Sequence, residues 1–293
     1  MNLINGTDIS RAIKQELKND VLEFKVKNHF TPGLSVILVG DDPASLVYVR
    51  TKQREAEKLG MNSNVIRLKM DVTEEELINH IQQLNDDPDV HGILVQLPLP
   101  DHISESRVTE SIDSFKDVDG LSPTNIGLLA SGVPRFIPAT PLGIQRMILR
   151  AGYEIQGKHV VILGRSNIVG KPLANLLTMK SSRGNATVTI CHSYTNNIEA
   201  VCRSADILVA AIGIPNYVKP NMVSKGAIAI DVGINRVDDT TLEKGYKLVG
   251  DIDFKNVRNK VLAITPVPGG VGPMTIAMLL ENTLKAALLH AEY

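Results

Sequence analysis

Four polar side chains in the first half of the chain have the types and spacing of a reaction site. Tyr48 and Lys52 lie four residues apart, so a helix sets both on one face, one turn apart. Gln96 closes the apolar run Val90 to Leu97, immediately before Pro98-Leu99-Pro100, and Asp119 sits in the turn Asp117-Val118-Asp119-Gly120. A phenol and an amine on one helix, a carboxamide at a strand end and a carboxylate in a turn can hold a polar ligand and move protons. Each also has an ordinary reading. A helix lysine is normally solvated, an aspartate in a D-x-D-G turn is normally turn chemistry, and a glutamine beside two prolines simply ends a strand. The turn is not an EF-hand, because the remaining ligands are missing, and no metal is expected.

The second half carries Gly164-Arg165-Ser166-Asn167-Ile168-Val169-Gly170-Lys171-Pro172, between an apolar strand and a helix. That context suits a dinucleotide loop: a tight turn, then a helix N-terminus whose free amides and dipole hold phosphate. The spacing is not a full G-x-G-x-x-G, so an ordinary βα turn stays open. A P-loop is excluded, because five residues separate the glycines and Pro172, which has no hydroxyl for magnesium, follows Lys171. The next strand ends at Cys191-His192-Ser193-Tyr194 without the acid that usually holds a ribose 2′-hydroxyl. Ser193 as a donor and Arg165 facing a 2′-phosphate favour NADP over NAD. His192 reads as a hydrogen-bonded wall residue. A third cluster, Thr265 to Thr275, has three glycines and three prolines in eleven residues. It predicts a sharply turned loop that either lines a ligand site, where glycine lets backbone approach closely, or is punctuation before a helix.

The elements that must position these groups alternate. Thr7 or Asp8 caps a helix through Ile9, Ile13, Leu17, Val21 and Phe24. Leu34 to Val39, Asn64 to Leu68 and Asp89 to Leu97 read as strands. Asp42-Pro43 starts a helix that runs to Gly60, and Thr73 with Glu76 forms a capping box for another. Lys116 to Pro141 is rich in Gly, Pro and Ser, and its end marks a linker. Thr140 or Pro141 opens the next helix. Strands then follow at 159–164, 186–191, 206–211, 226–232 and 261–265, with helices at 170–179 and 275–289. Apolar runs without alternation, separated by helices, predict α/β units with parallel sheets covered on both faces. Ligands bind such sheets beyond the carboxyl ends of the strands, which is where the polar groups fall.

Composition limits the partners. The 293 residues suggest two domains at about 100–200 residues each. With 31 basic and 32 acidic residues, neither nucleic acid nor an anionic membrane is an expected partner. Cys191 and Cys202 could pair, but two cysteines outside any C-x-x-C read as structural. No leader pattern is visible and no apolar run is long enough to span a bilayer, so the expectation is a soluble, cytoplasmic protein with a small-molecule partner.

Five segments together resemble one family, the bifunctional methylenetetrahydrofolate dehydrogenase / methenyltetrahydrofolate cyclohydrolase enzymes. They are Ser45-x-x-Tyr48-x-x-x-Lys52, His91 to Pro100, Lys116 to Gly120, Gly164-Arg165-Ser166-x-x-Val169-Gly170, and Pro266 to Thr275. The resemblance runs along essentially the whole chain. One departure is Ala139 in Pro138-Ala139-Thr140-Pro141, where many relatives carry Cys.

The resemblance implies two α/β domains with a substrate cleft between them, the second a Rossmann-like doubly wound parallel sheet. The first is 1–139, rejoined by the C-terminal helix 271–293, and binds folate; the second is 140–270 and binds NADP. It implies that Lys52 is the central catalytic residue, that Tyr48 contacts the reacting folate ring, that Gln96 orients Lys52, and that Asp119 anchors the pterin. Val95, Leu97, Pro268 and Gly269 complete the tetrahydrofolate site, and Gly164, Arg165, Ser166, Ser193, Ile234 and Thr275 contact NADP. It also implies a homodimer and a place in purine biosynthesis. A formyltetrahydrofolate synthetase activity is not expected at this length without a P-loop. The rivals are an NADP dehydrogenase for another substrate, a nucleotide-binding protein without catalysis, and a member that has lost one activity. The first two would not need Tyr48, Lys52, Gln96 and Asp119 together.

Overall fold

The computed structural model describes residues 2–242 and 244–292; Met1 and Tyr293, the outermost residues of the expected domain bounds, lie outside the described residues. The chain opens with strand β1 (Asn2–Leu3) and helix α1 (Gly6–Asn28), followed by β2 (Gly33–Val39), α2 (Pro43–Lys58), β3 (Asn62–Leu68), α3 (Glu74–Asp86) and β4 (Gly92–Val95). Two short helices follow, α4 (Glu105–Ser111) and α5 (Pro123–Ala130). Next come α6 (Ala139–Arg150), β5 (His159–Leu163), α7 (Gly170–Thr178), β6 (Thr187–Cys191), α8 (Ile198–Arg203), β7 (Ile207–Ala210) and β8 (Ile228–Asp231). The chain continues through β9 (Asn235–Asp238), β10 (Tyr246–Val249), α9 (Phe254–Val257), β11 (Ala263–Ile264) and α10 (Val271–Ala291). It divides into two compact units, one of Ala12–Ala139 and the chain from Ile276, the other of the chain up to Arg11 and Thr140–Thr275. We call them the Lys52 unit and the Gly164 unit.

The Lys52 unit is built on a three-stranded parallel sheet in the order β3-β2-β4. Central strand β2 is buried at every position, Ser35 included, as its largely apolar sequence without alternation requires. Asp42 caps α2 by accepting from the Ser45 N–H at 2.8 Å, with Pro43 in the first turn. The Thr73–Glu76 capping box closes reciprocally and starts α3. Leu77, Ile81 and Leu84 then pack on Ile37, Val39, Ile93 and Val95. Strand β4 is shorter than the expected 89–97 run: its regular pairing covers 92–95, with His91 and Gln96 each held to β2 by a single backbone bond. Within this unit Asn282 of α10 donates to the carbonyls of Val118 and Ile137, at 2.8 and 2.9 Å.

In the Gly164 unit, six strands form one parallel sheet in the order β1-β11-β8-β7-β5-β6. Counted from β5, the order is second, first, third, fourth, fifth, with β1 added at the far edge. That is a doubly wound parallel sheet, and its switch point lies between β5 and β7, whose carboxyl ends open a ligand crevice. The first eleven residues belong here because β1 pairs with β11 and the Thr7 N–H donates to the Gly269 carbonyl at 3.0 Å. The antiparallel hairpin β9–β10 is a separate two-stranded sheet. Cys191 and Cys202 are buried, free thiols, and burial pushes the Cys202 thiol up to about 12. No helix among the described residues is long and apolar enough to cross a membrane.

His91, at the start of β4, belongs to the core. It is 3 % exposed, its Nδ1 accepts from the Gly33 N–H at 3.0 Å, and its ring stacks on Phe30 at 5.1 Å. Burial, reinforced by His290 and Lys116, pushes the imidazole down to about 4. The folded chain therefore keeps His91 neutral where an unfolded chain protonates it near 6.5. This contribution to stability is full above 6.5 and is lost as pH falls toward about 4. The denaturant midpoint should drop across that window, and the His91 ring resonances should titrate near its lower end. Titration near 6.5 would contradict the assignment.

Candidate functional site

Helix α2 points one lysine inward. Ser45, Val49, Lys52 and Ala56 recur at helical spacing and are all buried, so Lys52 occupies a core position of the helix, only 8 % exposed. Its ammonium cannot stay there unpartnered. Nζ donates to Gln96 Oε1 at 2.9 Å, and Gln96 Nε2 donates to the Leu97 carbonyl at 2.6 Å, which orients the carboxamide. Burial lowers the Lys52 amine below its ordinary 10.5, while the nearby Asp119 carboxylate opposes that shift. Desolvation pushes Asp119 upward, Asp117 adds to this, and Lys52 opposes it. An acid raised and a base lowered stand side by side, a pairing that marks sites of proton transfer. Tyr48 is partly exposed one turn before Lys52, and burial raises its phenol.

The two aspartates of the turn divide its tasks. Asp117 is buried and builds it: Oδ1 accepts from the N–H groups of Gly120 and Leu121, at 3.0 and 3.2 Å, and Oδ2 from Ser122 N–H and Asn125 Nδ2, both at 2.8 Å. Gly120 has φ +70°, and a Cβ there would press on the Ile137–Pro138 backbone. Asp119 is left half-buried beside Lys52, with no hydrogen bond from a described residue. Sequence reasoning singled out Asp119 but not Asp117, whose only signal was its place two residues earlier in the turn. Val95 is buried at the end of β4, and Leu97 packs partly on the same core.

The Gly164 unit gathers the other candidates. Gly164 has φ +114°, and a Cβ on it would collide with the Ala211 carbonyl; a Cβ on Gly170 would collide with the Gly164 carbonyl. The two glycines thus let the turn after β5 fold tightly against the strand end of β7, at the switch point. Ser166 Oγ accepts from the N–H groups of Val169 and Gly170, at 3.1 and 3.4 Å, and so closes the turn that leads into α7. The Arg165 guanidinium lies 6.0 Å from the Tyr194 ring, and Ser193 beside it is exposed after β6. His192 accepts the Tyr194 N–H on Nδ1 at 3.2 Å and serves the turn. Ile234 is largely exposed, and Thr275 Oγ1 is 3.0 Å from Thr140 Oγ1. Pro268 and Gly269 also lie in this unit, where Gly269 has φ +99°; the structure does not group them with Lys52. Asp231 and Asp251 form a buried carboxylate pair that sequence reasoning missed. Their signals were an acid closing the apolar strand β8 and the Gly250-Asp251 step after β10.

These residues fit a dinucleotide. The glycine turn exposes backbone at the switch point, α7 starts beside it, Arg165 supplies an exposed cation, and no acid closes β6.

Comparison with known proteins breaks the chain near the same point, between residues 119 and 138. Residues 4–119 match the family model described as tetrahydrofolate dehydrogenase/cyclohydrolase, catalytic domain. Residues 138–291 match its NAD(P)-binding domain. The chain is 54% identical over 288 residues to the bifunctional protein FolD of Prosthecochloris aestuarii, covering 98% of each chain. The crystal structure of the bifunctional enzyme FolD, methylenetetrahydrofolate dehydrogenase/cyclohydrolase, from Campylobacter jejuni is 48% identical, with TM-score 0.92 over 99% of both chains. The Trypanosoma brucei methylenetetrahydrofolate dehydrogenase-cyclohydrolase, complexed with NADP cofactor and inhibitor, is 39% identical, with TM-score 0.91 over 97% of this chain and 96% of that one.

Gly164→Ala tests the steric account of the turn. Forcing a side chain into that backbone region costs about 1–3 kcal/mol, or roughly 2–4 °C of Tm per kcal/mol in a chain of this size. The variant should melt earlier and lose dinucleotide binding. An unchanged Tm with unchanged binding would contradict the account.

Proposed function

We propose that this chain, which belongs to the tetrahydrofolate dehydrogenase/cyclohydrolase family, oxidises 5,10-methylenetetrahydrofolate with NADP and then hydrolyses the 5,10-methenyl product to 10-formyltetrahydrofolate. The observation that carries the reading is the buried Lys52 amine held by Gln96 beside Asp119. The enzyme is an oxidoreductase and a hydrolase of one-carbon folate metabolism. The folate-binding domain is read as 1–139 with 271–293, less residues 1–11 and 271–275, which pack in the Gly164 unit, and the NADP-binding domain as 140–270; the family matches at 4–119 and 138–291 support a break between residues 119 and 138.

In the first step NADP, when bound, supplies the hydride acceptor. Gly164, Arg165, Ser166, Ser193, Ile234 and Thr275 hold the dinucleotide. The protein's part is orientation, because loss of hydride from the bridging carbon leaves a cation stabilised by two nitrogens. Tyr48, Val95 and Leu97 line the folate site on the Lys52 unit, the resemblance to the family adds Pro268 and Gly269 as folate contacts, and the Asp119 carboxyl anchors the pterin through its nitrogens.

In the second step water adds through oxygen to the cationic carbon and neutral Lys52 takes one water proton, leaving a neutral hydroxyl adduct. The bond from that carbon to N5 then breaks with its electron pair going to N5, the hydroxyl proton ends on N5, the formyl group stays on N10, and the ammonium of Lys52 returns its proton to solvent. Burial makes the neutral amine accessible at lower pH, a cationic substrate beside it acts in the same direction, and Gln96 Oε1 fixes the amine by accepting one of its N–H groups. The resemblance to the family supports a cytoplasmic homodimer whose product serves purine biosynthesis. Sedimentation of the purified protein tests the dimer.

An absorbance assay with methylenetetrahydrofolate and NADP, then with methenyltetrahydrofolate alone, tests both activities. Lys52→Met should lower hydrolysis by about 10²–10⁴-fold, the usual contribution of a general base; normal hydrolysis in that variant would overturn the role given to Lys52. Asp119→Ala should weaken folate binding more than NADP binding, and equal losses would count against the anchor.

A further inference from the structure

Two aspartates outside these roles are buried at the carboxyl edge of the doubly wound sheet. Asp231 closes β8 and is 3 % exposed; Asp251 follows β10 and is fully buried. Each carboxylate is an acceptor for backbone that must stay in one place. Asp231 Oδ1 accepts from the N–H groups of Gly233 and Asp251, at 3.1 and 2.8 Å, and Oδ2 from the Ile252 N–H at 2.9 Å. Asp251 Oδ2 accepts from the N–H groups of Ile212 and Gly213, at 2.7 and 3.0 Å, and Oδ1 from Asn235 Nδ2 at 2.9 Å. Two glycines make room. A Cβ on Gly233 would strike the Asp251 carboxylate, and one on Gly250 would strike that of Asp231.

The segments gathered by Asp251 lie around the dinucleotide turn. Ile212 and Gly213 continue from Ala211, whose carbonyl is packed directly on Gly164. Asn235 follows Ile234, and the Ile234 side chain lies beside Gly272. One carboxylate therefore ties the loop after β7, which abuts the Gly164 turn, to the segment after β8. Charge strengthens each bond it accepts, and burial denies those amides water as a substitute partner.

We propose that Asp251, braced by Asp231, is a positioning residue that sets the nucleotide side of the site by fixing Ile212, Gly213 and Asn235. It touches neither hydride donor nor acceptor. This inference rests on the NADP reading above. The chemistry of hydrolysis uses no nucleotide, and Lys52, Gln96 and Asp119 belong to the other unit, so hydrolysis is the internal control.

The test measures NADP affinity by calorimetry without folate, together with both activities and the Tm, in Asp251→Asn, Asp251→Ala and Asn235→Ala. Asn keeps an acceptor for Ile212 and Gly213, and its amide can donate to Asn235 once that carboxamide turns over. Asp251→Asn should therefore bind NADP within about threefold of wild type, whereas Asp251→Ala, losing three accepted bonds, should bind about tenfold or more weakly. Hydrolysis of methenyltetrahydrofolate should persist in both. Asn235→Ala removes only the outer bond and decides the matter if Asp251→Ala does not fold; its NADP affinity should fall about threefold with Tm lowered by only a few degrees. Wild-type affinity in both alanine variants, or equal loss of NADP binding and hydrolysis in them, would overturn the proposal. A wild type that binds NADP yet turns over neither folate substrate would instead overturn the assigned activity and leave the affinity comparison intact.

Discussion

Taking a lysine ammonium out of water is costly unless something on the protein replaces its solvation. Helix α2 imposes that cost on Lys52 by placing it in the same stripe as Val49 and Ala56. The surrounding structure answers it in two ways. Gln96, at the end of β4, offers a neutral acceptor that leaves the amine free to lose its proton. Asp119, at the next turn, offers a charge that favours the protonated amine. The sheet order β3-β2-β4 brings α2, the β4 terminus and the Asp119 turn together, and Asp117 holds that turn rigid by spending its own carboxylate on backbone. The chemistry assigned to the first half of the chain depends on this balance between a neutral and a charged partner.

The other unit solves a different problem, the close approach of backbone to a large anionic ligand. It uses absent side chains where the Lys52 unit uses buried ones. Gly164 and Gly170 are sterically obligatory, because either Cβ would collide with a carbonyl of the turn or of the neighbouring strand end. The parallel sheet places that turn at the switch point between β5 and β7. Orientation of two bound reactants is enough for a hydride transfer that yields a stabilised cation, so this unit needs shape more than acid and base.

Much of this was legible in the residues. The apolar runs gave the main strands, because strands buried on both faces show no alternation. Asp42-Pro43 and Thr73 with Glu76 marked helix starts, because capping is local chemistry. What stayed hidden depends on partners distant in sequence. Strand β1 is two residues long and exists through pairing with β11; Asn2-Leu3 carries no period to read. The hairpin β9–β10 stands apart from the parallel sheet, and its four-residue strands lack the long apolar run that marks the others. Tyr48, Lys52, Gln96 and Asp119 could be named from type and spacing, yet only three-dimensional packing separates Asp119 from Asp117 or shows Lys52 to be buried. Asp231 and Asp251 were missed because most of their partners are backbone amides of distant segments, up to 39 residues away.

The central claim is that burial makes Lys52 a usable base. The direct measurement is a titration of the Lys52 amine by NMR in the folded protein, its signal assigned by comparison with Lys52→Met. The account predicts a midpoint below the ordinary 10.5, because desolvation outweighs the opposing field of Asp119. A midpoint at or above 10.5 would mean that Asp119 dominates and that Lys52 acts as a fixed cation, which would contradict its role as the group that takes the proton from water.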